Sequence, residues 1–169
     1  MPARGYGSVV NRKLLGIYLN DHLAGSTAGI ELVKRASNAN EGTELGRFLA
    51  ALVSEIDSDR ETLKRIMGDL GIRRDPAKQA GGWMLEKAGR LKPNGQLRGY
   101  SPLSRLVELE GLALGVTGKL AVWKALRLVA ESEPKLDSGE LDRLVERAET
   151  QQRGLEEQRL AAAREALGA

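Results

Sequence analysis

The amino-acid sequence predicts an all-α protein, a four-helix bundle whose second and third helices are joined by a long crossover containing a short helix. Three observations predict it. Leu, Ala, Glu and Arg are abundant, which favours helix, while aromatic residues make up only 4% and no alternating β-branched run appears. Four long stretches carry apolar residues at helical spacing, each bounded by capping or breaking residues. The links between those stretches run short, long, short, and this sets how the helices can be arranged. The 169 residues, 41% hydrophobic, suit a single helical-bundle domain over 1–169, with 1–10 as an N-terminal arm.

Helix 1 is expected from about Asn11 to Ser37, ending in the polar stretch Ser37-Asn38-Ala39-Asn40. Helix 2 follows Thr43, an acceptable N-cap, and ends at Leu70-Gly71, with Gly71 placed as the residue just past the helix. Asp75-Pro76 opens a shorter crossover helix carrying Trp83 and Met84, which gives way to the irregular Leu91-Lys92-Pro93-Asn94-Gly95. Helix 3 opens at Ser101-Pro102, an N-cap followed by proline in the first turn, and runs to about Ala130. Helix 4 opens at Asp137, with Glu140 three residues on as in a capping box, and continues to about Leu167. The short 1–2 and 3–4 links make each pair antiparallel. The link from Gly71 to Tyr100 can cross a bundle roughly 40 Å long, so helices 2 and 3 can run parallel.

Composition excludes several classes. With no cysteine there are no disulfides and no thiolate chemistry. The most apolar stretch, Leu109 to Ala130, is interrupted by Lys119, Lys124 and Arg127, so no membrane span is expected. The N-terminus MPARGYGSVVNRK lacks the apolar run of a signal peptide, and the expected location is cytoplasmic. Net charge is +3, and the segment 73–98 holds seven basic residues against Asp75 and Glu86. That segment has no groove-reading motif, so a solvated loop is favoured over nucleic-acid binding by the basic crossover. No phosphate loop and no Ser/His/Asp triad is present, and no catalytic residue is assigned. Gly111, Gly115 and Gly118 on helix 3 permit close helix approach, either within the bundle or in a homo-oligomer through helix faces.

The candidate site is a polar layer on apolar faces. His22, the one histidine, lies 15 residues before Ser37 on the stripe Leu15, Leu19, His22, Ser26, Gly29. Across an antiparallel hairpin its level partner is near Ser58 and Asp59, with Glu55 one turn away. Glu110 on helix 3 falls toward Glu55's end of the layer, Thr117 is expected to face His22, and helix 4 brings Gln151 or Gln152. Buried polar groups are costly unless partnered. His22, Glu55, Asp59 and Glu110 are therefore either metal ligands or a hydrogen-bonded structural network in which His22 donates to Asp59 or Glu55, with Asp59 favoured.

The segments Tyr18–Gly25 (YLNDHLAG), Glu55–Arg60 (EIDSDR), Gly89–Lys92 (GRLK) and Ser101–Glu110 (SPLSRLVELE) carry a resemblance. With the whole-chain layout, the chain resembles the ferritin-like superfamily and its small bacterial four-helix-bundle members. The resemblance implies a ferritin-like bundle and, in the metal-bearing members, an iron or manganese pair held by a Glu from two helices and Glu-x-x-His from the other two. This chain has no Glu-x-x-His. The favoured reading is a non-enzymatic structural or interaction module with a degenerate metal site and no cofactor. The alternative is a carboxylate-bridged iron or manganese protein in iron or oxidant handling.

Overall fold

The computed structural model of the chain describes residues 10–77 and 100–168. Four helices make up the described residues: α1 (Arg12–Ala39), α2 (Glu44–Asp69), α3 (Pro102–Val129) and α4 (Ser138–Leu167). Each begins at a side-chain cap. Asn11 accepts from the Leu14 amide at 3.1 Å, Thr43 from Gly46 at 3.0 Å, Ser101 from Ser104 at 3.0 Å and Asp137 from Glu140 at 3.0 Å. Pro102 occupies the first turn of α3, where its missing N–H costs nothing. α2 ends at Gly71, whose φ of +69° closes paired bonds from the Gly71 amide to Gly68 and the Ile72 amide to Met67. α1 runs two residues past its expected end, through Asn38 and Ala39.

Two hydrophobic clusters fix the helix directions. One joins Leu19 and Leu23 at the start of α1 to Met67 at the end of α2, Leu126 at the end of α3 and Leu141 at the start of α4. The other joins Val33, Leu49, Leu109 and Leu155 from the opposite ends. α1 and α4 therefore run one way, and α2 and α3 run parallel to each other the other way. α1 packs against α2 and α3, and α4 against α3 and α2.

Two buried asparagines tie down the ends of the crossover. Asn20 donates to the Arg73 carbonyl at 3.0 Å and accepts from the Asp75 amide at 2.7 Å. At the other end of α1, Asn40 donates to the Tyr100 hydroxyl at 3.0 Å and accepts from Arg105 Nε at 3.0 Å. Tyr100 in turn donates to Glu108 at 2.9 Å, and burial beside that carboxylate pushes its hydroxyl up to about 12. Pro76 and Ala77 begin a helical turn. Beyond them the expected crossover helix, Trp83, Met84 and most of the basic segment lie outside the described residues. Among the described residues no helix is long and apolar enough to cross a membrane.

Candidate functional site

A polar layer divides the two apolar clusters. On α2 the buried stripe runs Leu52, Ile56, Asp59, Leu63; on α3 it runs Leu112, Val116, Leu120, Trp123, with half-buried Lys119 beside it; on α4 it runs Leu144, Ala148, Gln151, Leu155. Two helices thus each place one polar residue where the helical repeat calls for an apolar one, and the third brings a lysine from the edge of its stripe. Asp59 is 2% exposed, and its Oδ2 accepts from Lys119 Nζ at 2.5 Å while Oδ1 accepts from Arg147 Nη2. Lys119 Nζ donates a second bond to Gln151 Oε1, and Gln151 Nε2 donates to Glu55 Oε2 at 2.8 Å. The resulting chain, Arg147–Asp59–Lys119–Gln151–Glu55, links α2, α3 and α4. Its two cations balance its two carboxylates and each member has at least one partner, although Arg147 Nε is left without an acceptor among the described residues and Glu55 is exposed. Burial lowers the Lys119 ammonium from the ordinary lysine value, and Asp59 works against that shift.

Of the four residues singled out from the sequence, Asp59 lies at the centre of this layer and Glu55 at its edge. His22 and Asp59 line one cavity of about 230 Å³ between α1, α2 and α3, but the expected His22–Asp59 hydrogen bond is not made, because Lys119 and Arg147 take the two carboxylate oxygens. The core stripe of α1 passes through Leu19 and Leu23. His22 is one residue off that line, and one residue is about 100° around a helix. It is half-buried instead, stacked edge-on to Tyr18 with ring centroids 4.6 Å apart. Burial lowers its pKa, partly offset by the neighbouring Asp21. Glu110 is exposed for the same reason of phase, one residue past buried Leu109, and lies 3.9 Å from Arg159. Thr117 does not face His22; it donates to the Ala113 carbonyl and accepts from Gln152 at 2.8 Å. Gly118 faces the His22 ring in its place.

The sequence reading missed Lys119 and Arg147, the two cations of the layer. Lys119 carries a partial signal, since it falls three residues after Val116 and four before Trp123, next to the buried Leu120. Arg147 has a weaker one, four residues before Gln151 on a helix rich in paired charges.

Among the described residues no group of three His, Asp or Glu side chains lies close enough to hold a metal ion. The donor set does not fit the ferritin-type metal pair. The buried carboxylate of the layer, Asp59, is engaged by an ammonium and a guanidinium, and helix α4 supplies a neutral amide. Compared with known proteins, the chain matches no family model, no curated protein and no solved structure at a significant level.

Proposed function

We propose that the chain is a ferritin-like four-helix bundle serving as a structural or interaction module in the cytoplasm, without chemistry of its own. Its interior layer is read as a degenerate metal site. The observation that carries this reading is Lys119 Nζ, seated on Asp59 at 2.5 Å and on Gln151. A protein-supplied cation stands where a ligated ion would be needed, and it neutralises the same carboxylate. The parallel α2 and α3, joined through a long link, support the ferritin-like arrangement. Protein purified without chelators and titrated with ferrous iron or manganese is expected to bind neither stoichiometrically. One or two ions per chain, lost with Glu55→Ala and Glu110→Ala, would overturn this reading in favour of a metal protein handling iron or oxidant.

The interaction role rests on the outer face of α3. Val107, Leu114 and Leu128 are exposed at 44%, 74% and 68%, and with Ala121 they fall seven residues apart. Seven residues return to nearly the same side of a helix, so these four form one apolar line, and a second copy of the chain offers the matching line. Light scattering is expected to give a dimer that Leu114→Glu converts to monomer. A monomer at all accessible concentrations of the native chain defeats this assignment.

A further inference from the structure

We propose that the cavity between α1, α2 and α3 is a binding site for a small amphipathic carboxylate, its apolar body held between the helices and its carboxylate paired with the Arg60 guanidinium. The cavity lies beside the polar layer, and the proposal holds whether or not that layer takes a metal.

Shape comes first. The cavity measures about 230 Å³, with walls contributed by the middle of three helices. Its opening exists because α1 and α3 present glycines to each other. A Cβ built on Gly25, Gly29 or Gly115 would meet nothing within 4 Å. Helix interiors disfavour glycine relative to alanine, and no turn or positive φ requires it at these three positions. What the glycines leave is space. Ile56, Leu63, Val116 and Val122 make much of the remaining wall apolar. A comparable engineered cavity of about 150 Å³ takes one benzene, so this one suits a chain or ring compound of roughly 8–10 heavy atoms.

Polarity then selects the ligand. Trp123 and Arg60 line the cavity, but their Nε1 and Nε atoms, which have no acceptor among the described residues, are sealed from water and do not open onto it. The charged groups on the wall are Asp21, Asp59, Arg60 and Lys119. Asp59 and Lys119 are committed to each other and to Arg147 and Gln151, and Asp21 sits at the exposed rim. Arg60 is less fully engaged. Glu61 is 3.8 Å from it and is bonded by Lys64 at 2.6 Å, while the guanidinium reaches Thr27 only at 3.4 Å. The wall therefore offers one loosely engaged cation, Arg60, and the complementary ligand end is an anionic acceptor. A guanidinium matches a carboxylate in both charge and geometry.

The test uses the full chain carrying Trp83→Phe, so that Trp123 is the only indole emitter. Octanoate and its neutral counterpart 1-octanol are titrated while emission is followed. Octanoate is expected to shift the emission saturably, with half-saturation below about 1 mM, and octanol to bind at least about tenfold more weakly. Arg60→Met should weaken octanoate about tenfold and leave octanol unchanged. Gly115→Leu should abolish binding of both while keeping the helical circular dichroism, and Gly25→Leu, on the opposite wall, serves if Gly115→Leu does not fold. Absence of a saturable change at millimolar octanoate would overturn the site. Equal affinity for acid and alcohol would overturn the carboxylate assignment, and undiminished binding in a folded, filled variant would overturn the location.

Discussion

Replacing Asp59 with alanine is expected to cost about 3–5 kcal/mol of folding stability, the range for removing one partner of a buried ion pair. Asp59 is 2% exposed and carries both interior cations. Arg147, with a side chain 36% exposed, can turn to water when the carboxylate is lost. Lys119, 15% exposed, cannot, and its ammonium keeps only Gln151. The pH dependence gives a second readout. Burial already lowers the Lys119 pKa in the native chain, and Asp59 is the main influence raising it. Without Asp59 the folded pKa drops further below the unfolded lysine value of about 10.4. Between those two values the unfolded chain binds more protons than the folded one, so stability rises with pH. The deficit of Asp59→Ala relative to the native chain should therefore shrink as pH is raised toward the unfolded lysine value. Urea melts at neutral and alkaline pH measure this. A loss under about 1 kcal/mol, or pH profiles parallel to the native chain, would show that the layer is not a tightly coupled interior network. Asp59→Leu combined with Lys119→Leu should recover most of the loss, because removing both charges removes the stranded one.

The second large effect is expected from a change that helix propensity alone would rate as favourable. Gly46→Ala lies in the first turn of α2, where alanine gains up to about 1 kcal/mol over glycine. Here the added Cβ would sit 2.0 Å from the Asn40 carbonyl oxygen and 2.8 Å from its carbon. Backbone must move, and that backbone is held from several sides. The Asn40 carbonyl accepts from the Thr43 amide at 3.2 Å and the Thr43 hydroxyl at 2.7 Å, and its side chain is bonded to Ala36, Tyr100 and Arg105. We expect a loss of about 3 kcal/mol or more, above the usual range for overpacking because the obstacle is main chain. Gly68→Ala, on the same helix with nothing within 4 Å of the added Cβ, is the control and should be neutral or stabilising by up to about 1 kcal/mol. Equal melting temperatures for the two variants would refute the steric account.

Much of the fold was legible from the sequence, because helix ends are local. Thr43, Ser101-Pro102 and Asp137 cap their helices through bonds to amides within three residues, so no tertiary information is needed to read them. Loop lengths carried the helix directions: α2 and α3 run parallel, as the long link between them allows. The interior layer was legible in part. Asp59 and Gln151 sit on their apolar stripes at matched levels, and period and level are both properties of the linear chain.

What the tertiary structure decided was the partnering. His22 and Glu110 are each one residue from a buried leucine, and about 100° of helix rotation moves a side chain from the core to its edge. Sequence periodicity tolerates that uncertainty; packing does not. Lys119 interrupts an apolar run, which from sequence says only that the run is no membrane span. Its long stem lets the ammonium reach across to α2 and α4, and that reach exists only once three helices are assembled. Gly46 reads as an unremarkable glycine until the α1–α2 turn folds back onto it. The cavity beside the layer is likewise a property of assembly, formed where glycines of α1 and α3 come opposite one another. The chain by itself determined where the four described helices run and roughly where their apolar stripes lie. Only the packed bundle determined which inward groups meet, because pairing depends on rotation and distance between elements that no local pattern encodes.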